Sequence, residues 1–148
     1  MQIIPGRGTA LVRIGEHRAE VERRMGAPDV ERESRCYYHD LDPPLVIDYH
    51  TAGTVELVEI AYSSHPGHEV TLEGIQLTYR AIDDVMRDLR SVGLQGRPSD
   101  IGYDFPTGFS IWSMHSLSLA DVDPKATSDD DRPVVEGVSV AEPAYFGF

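Results

Sequence analysis

The chain has 148 residues, 41% of them hydrophobic, and its 13 basic and 25 acidic residues give a formal net charge of -12. That composition suits one domain or two small packed halves and excludes a disordered chain. The acidity argues against nucleic acid and against an anionic membrane surface, both of which demand clustered Lys and Arg, and it favours a basic protein partner.

The elements follow in chain order. Ile3, Ile4 and the Pro5-Gly6 pair form a lead-in and turn, and residues 9–14 are a short apolar stretch with strand character. A helix is predicted over 15–25, with Val21 and Met25 one turn apart and Arg18, Glu22, Arg23 and Arg24 facing water. Gly26-Ala27-Pro28 ends it, because Gly suits the left-handed position after a helix and Pro cannot continue one. Strands are predicted over 35–39, 45–50 and 55–62, where Leu45, Ile47 and Tyr49, and then Val58, Ile60 and Tyr62, alternate. Thr51-Ala52-Gly53 supplies the turn between the last two. Val70 and Leu72 suggest another short strand. A second helix is predicted over 79–92, since Ile82, Val85, Met86, Leu89 and Val92 form one apolar stripe. Further strands are expected over 101–104, 109–114 and 134–141, with Pro106-Thr107-Gly108 as a hairpin turn. The acidic stretch 116–133 reads as a mobile surface loop.

The two halves share an order of helix, glycine stop and three strands. Val55-Glu-Leu-Val-Glu-Ile-Ala61 also resembles Val135-Glu-Gly-Val-Ser-Val-Ala141. The expected fold class is therefore α+β, with two related units over 1–68 and 69–148, each a helix packed on a short antiparallel sheet. The second unit carries 116–133 as an insertion, and the two units pack as one compact domain.

The segment Gly15-Glu-His-Arg18-Ala-Glu20-Val21, followed by Met25-Gly26-Ala-Pro28, resembles the helix opening of the β-lactamase inhibitory protein family and of the small outer-membrane assembly lipoproteins that share its fold. The matching positions are Gly15, Glu20, Val21, Gly26 and Pro28, within some 14 residues. The resemblance implies a helix on a short antiparallel sheet, repeated in tandem in the inhibitor, and a sheet surface that binds another protein. Those families are exported and the inhibitor is disulfide-bonded. Here Cys36 is the sole cysteine, so no internal disulfide forms, and the opening Met-Gln-Ile-Ile-Pro-Gly-Arg-Gly has no charged segment followed by an apolar run. Cytoplasm is the expected location, and the near absence of Lys among the basic residues fits a GC-rich bacterial source.

No catalytic motif is evident and no cofactor is implied. Pro5-Gly-Arg-Gly8 lacks the ending of a phosphate loop, and Ser110 and Ser113 near His115 follow no known triad order. The segment from Cys36 to Thr78 contains acids at Asp40, Asp42, Asp48, Glu56, Glu59, Glu69 and Glu73, interleaved with tyrosines, and no Lys or Arg. A carboxylate-rich sheet face with aromatic contacts suits a cationic protein surface. The expected contact residues are Tyr38, Asp40, Asp48, His50, Glu56 and Glu59. The expected function is a non-catalytic acidic protein-binding module, most concretely an immunity or inhibitor protein covering a basic toxin or enzyme in a bacterium. The alternative is a small enzyme or ligand-binding domain, metal-assisted through His39, His50, His65 and His68, with a pocket between helix and sheet. The aromatic end, Ala144-Tyr-Phe-Gly-Phe148, is expected to pack back on the sheet, or else to mediate a homodimer.

Overall fold

The computed structural model describes residues 1–62 and 67–148. A small hairpin of β1 (Ile3–Ile4) and β2 (Gly8–Thr9) opens the chain, followed by helix α1 (Arg18–Met25). Strands β3 (Val30–Arg32), β4 (Arg35–Tyr38), β5 (Leu45–Tyr49) and β6 (Val55–Ala61) come next. A second small hairpin, β7 (Thr71–Leu72) and β8 (Ile75–Gln76), leads into α2 (Ile82–Ser91). Strands β9 (Arg97–Pro98), β10 (Gly102–Phe105) and β11 (Phe109–Trp112), the short helix α3 (Leu119–Val122), β12 (Gly137–Ala141) and a 3-10 turn over Pro143–Phe146 complete the chain.

One eight-stranded antiparallel sheet dominates, in the order β3-β4-β5-β6-β12-β11-β10-β9. The fold is thus mixed α and β and sheet-dominated, and the strands after each long helix join one continuous sheet. Four strands of this sheet follow each long helix, one more than expected. The additional strands are the outermost ones, β3 and β9, whose residues are all exposed. Such edges carry no apolar alternation and are held by pairing alone. The two segments noted for their likeness, β6 and the end of the second, lie side by side at the centre, with Ile60 opposite Val138 and Val58 opposite Val140.

Pairing registers define the two faces. Cys36, Ile47, Val58, Val140, Phe109 and Phe105 form one buried row across six strands. Tyr38, Leu45, Ile60, Val138 and Ile111 form the next. Val21 of α1, the stripe Ile82, Val85, Met86 and Leu89 of α2, and Ile3, Val12, Val70, Leu72 and Leu77 complete the same core. Burying this apolar area is the main stabilising contribution. Phe105 and Phe109 stack in parallel with ring centroids 4.3 Å apart.

Both helices start later than periodicity suggests, for the same reason. Backbone groups before α1 are tied to the β5–β6 hairpin: Gly15 N–H donates to Val55 O at 2.8 Å and Arg18 N–H to Gly53 O at 2.9 Å. Before α2, Tyr79 has φ 64°, outside the helical region, and Arg80 O accepts Val135 N–H at 3.0 Å. The segment 116–133 is organised where a mobile loop was expected. Ser118 and Asp121 form a capping box at α3, and buried Leu119 packs with Ala81 and Val134 in a second small cluster. Among the described residues, no helix is long and apolar enough to cross a membrane.

Candidate functional site

The side of the sheet away from the helices presents a different set of side chains. One row crosses all eight strands as Val30, Tyr37, Val46, Glu59, Ser139, Ser110, Asp104 and Arg97. The period-2 alternation of each strand places these residues opposite the core row, so the acids of β5, β6 and β10 share one face. Beside them, Arg35 lies opposite Asp48 and Asp48 opposite Leu57. The register shift next to Asp48, where Tyr49 faces Val55, leaves Glu56 as an extra residue in β6.

Arg35 sits among these acids. Its guanidinium donates to Asp48 Oδ2 at 2.5 Å, to Glu59 Oε1 at 2.7 Å and to the Tyr37 hydroxyl at 3.1 Å. It also lies 5.6 Å from the Tyr37 ring centroid. Burial pushes the Asp48 carboxyl above its ordinary range against the pull of the Arg35 charge. The acid-rich segment 36–78 thus meets a counter-charge one residue before its start, which its own composition conceals.

Tyr38, expected as a contact residue, belongs to the core. It is 4% exposed, its hydroxyl donates to Gly26 O at the end of α1 at 3.1 Å, and burial pushes its phenol up to about 12. The physical reason is strand alternation: Tyr37 faces outward, so its neighbour faces the helices. Asp48 and Glu59 are half-buried on the helix-free face. His50 and Glu56 stand together at the β5–β6 end, with Nδ1 3.5 Å from Oε1. Asp40 is exposed beyond β4, and its N–H donates to Asp29 Oδ2 at 3.2 Å. His50, Glu56, Glu142 and Tyr145 line a depression of about 450 Å³.

The candidate metal ligands are dispersed. His39 follows β4 and His50 follows β5, and since these strands run antiparallel the two lie at opposite ends, separated along the strands by about 20 Å. They cannot ligate one ion. His39 stacks on Tyr37 with centroids 5.6 Å apart, and His68 Nδ1 lies 3.1 Å from Asp42 O. His65 lies outside the described residues, and among those described no group of three His, Cys, Asp or Glu is arranged to hold a metal. Cys36 is fully buried, and burial pushes its thiol up, away from reactivity.

The C-terminal segment packs back, as one of the two expectations had it. The Arg97 guanidinium donates to Phe146 O and lies 4.2 Å from the Phe148 ring centroid. Tyr145 lines the same depression as His50 and Glu56, and burial, followed by the charges of Asp48, Glu56 and Glu59, pushes its phenol up.

Two features escaped sequence reasoning. Trp112, which its mid-strand place between Ile111 and Met114 assigns to the core on sequence alone, is half-buried on the helix-free face, its indole lying across Gly137 and donating to Ser139 Oγ at 3.0 Å. A Cβ at Gly137 would stand 2.0 Å from Trp112 Cζ2, so only glycine leaves room for the ring. Trp112, Glu59, Asp100, Asp104, Ser110 and Ser139 line a depression of about 390 Å³. The second feature is Glu136, 6% exposed, whose carboxylate accepts the N–H groups of Met114, Ser116 at 2.9 Å and Leu117 at 2.8 Å. It sits within an apolar run from Val134 to Val140 and carries no motif that would have singled it out.

No protein-family model matches the chain, and no curated protein matches it. Among solved structures it is similar to a DUF4309 family protein (YjgB) from Bacillus subtilis subsp. subtilis str. 168, with TM-score 0.48 and 14% identity over 93% of this chain and 88% of that one.

Proposed function

We propose that this chain is a non-catalytic acidic protein-binding module that meets a basic partner through the helix-free face of its sheet. In its most concrete form it is a bacterial immunity or inhibitor protein covering a basic toxin or enzyme. The observation that carries the reading is the composition of that face. Asp48, Glu56, Glu59, Asp100 and Asp104 share that side with the aromatic rings of Tyr37, Trp112 and Tyr145 and with the cations Arg32, Arg35 and Arg97. Rigid aromatic area beside charge is the chemistry of protein recognition, and the net charge of -12 steers a basic partner toward it.

The two halves are further proposed to be a tandem pair of helix-plus-sheet units. Each long helix precedes a four-stranded meander, and the last strands of the two meanders pair at the centre. In this arrangement the partner-binding face is assembled from both units.

The test is kinetic. Reversing charge at Asp48 and Glu56 together slows association with the partner by about tenfold at low salt and flattens its salt dependence, while dissociation changes less. Association unchanged in that double variant contradicts the reading.

A further inference from the structure

The depression built on β10, β11 and β12 differs from the rest of the helix-free face. Its lining carries three carboxylates, Glu59, Asp100 and Asp104, and no cation. Glu59 is engaged from one side by Arg35 at 2.7 Å. Asp100 and Asp104 have no ion-pair partner among the described residues, although Asp104 lies directly opposite Arg97 in the register. Arg97 is drawn away, to Phe146 O and the Phe148 ring.

A second observation is independent of the acids. Ser110 is only 6% exposed and lines the depression, and its hydroxyl has no hydrogen-bond partner among the described residues. The side chain is nearly buried, and its oxygen keeps its opening onto the depression, where it is available to a ligand. Its neighbour Ser139 is already held by the Trp112 N–H at 3.0 Å, which fixes the indole as one wall. Exposed Ile101 and Met114 form part of the rim.

We infer that this depression receives the side chain of one arginine from the basic partner, its guanidinium against Trp112 and its N–H groups on Asp104, Asp100 and the Ser110 hydroxyl. The inference rests on the reading of this face as the partner-binding surface and adds to it a specific anchor. The physical argument is complementarity. A planar guanidinium supplies five donors to acceptors that lack them, stacks on an aromatic wall, and is less strongly hydrated than an ammonium, so it enters a half-buried site more easily. The methylene stem of the arginine covers the apolar rim.

Trp112 is the sole tryptophan, so its fluorescence reports on this cavity alone. The probes are the capped tripeptides acetyl-Gly-Arg-Gly-amide and its citrulline twin, which has the same shape without charge, together with calcium ion as a competing cation. Each is titrated at low salt into the full chain, the Asp104→Asn variant and the Ser110→Ala variant. The expected result is a saturable change with the arginine peptide and none with citrulline or calcium. Asp104→Asn weakens it by about tenfold, and Ser110→Ala by a smaller factor. Both variants are near-isosteric, and unchanged thermal unfolding shows that they remain folded. Equal responses to arginine and citrulline, a response to calcium in place of arginine, or full binding by Asp104→Asn overturns the inference. If the peptides fail while a basic partner still binds and still responds to charge reversal at Asp48 and Glu56, the anchor is wrong and the broader reading survives.

Discussion

Asp48 concentrates the opposing forces on the helix-free face. Burial raises its carboxyl pKa while Arg35, at 2.5 Å, lowers it, and burial wins. A raised folded-state value means that the ionised carboxylate is less favourable in the folded chain than in the unfolded one. That penalty is fully present above the folded pKa and disappears once pH falls below the ordinary 3.8, where both states are protonated. Asp48→Asn is accordingly expected to be as stable as the parent or slightly more so at neutral pH, by less than about 1 kcal/mol, because the pair is partly exposed and solvent-screened. The two proteins converge below pH 3.8, as urea midpoints at the two pH values will show. A neutral-pH loss well beyond 1 kcal/mol would mean that the Arg35 pair outweighs burial after all. The residue scale is also where the sequence misled. Tyr37 and Tyr38 are chemically alike and adjacent, and nothing local says which faces the helices; the pairing with Val46 and Leu45 decides it. Trp112 reads as core because its neighbours are apolar, and only Gly137, far along the chain, reveals that the ring lies on the other side.

Among the elements, the segment between β11 and β12 depends on one carboxylate. Glu136 accepts the N–H groups of Met114, Ser116 and Leu117, and Ser113 Oγ lies 3.4 Å away. Removing the acceptor strands several backbone donors in a nearly buried place, and such donors are expensive to leave unpaired. Glu136→Ala is expected to lose about 3 kcal/mol of stability in denaturant unfolding, with faster amide exchange at Ser116 and Leu117. Glu136→Gln, which keeps one acceptor oxygen, loses about half of that. A loss below about 0.5 kcal/mol in the alanine variant would show that the segment is held by other contacts, chiefly those of Leu119. Elements with a strong period were legible from residue order: the α2 stripe from Ile82 to Leu89, the alternation of Leu45, Ile47 and Tyr49 in β5 and of Val58 and Ile60 in β6, and the Pro106-Thr107-Gly108 turn stand where they were expected, whereas Val92 follows α2 and is exposed and Tyr62 follows β6. Strands β3 and β9 were not, since an exposed edge has no apolar pattern to read. The helix starts were displaced because long-range backbone hydrogen bonds claimed residues that propensity alone would have placed in a helix.

At the scale of the whole molecule, the division of labour is between two faces of one sheet. The core, both long helices and both small hairpins occupy one side. The other side gathers acids and aromatic rings from β4, β5, β6, β10, β11 and the C-terminal segment, residues spread over more than 100 positions of sequence. Acidity and tyrosine content were visible in residue order, which is why the basic-partner hypothesis could be framed at all. The central depression was not visible, because its walls come from strands brought together only by the sheet order. The most direct measurement is amide hydrogen exchange on the chain free and bound to the basic partner recovered by affinity capture at low salt. Protection in bound form at β5, β6, β11 and β12, weakened at high salt and reduced at matched partner concentration in the Asp48 and Glu56 charge-reversed variant, is the result this account predicts. Protection confined to α1 and α2, or an unchanged footprint in that variant, would contradict it.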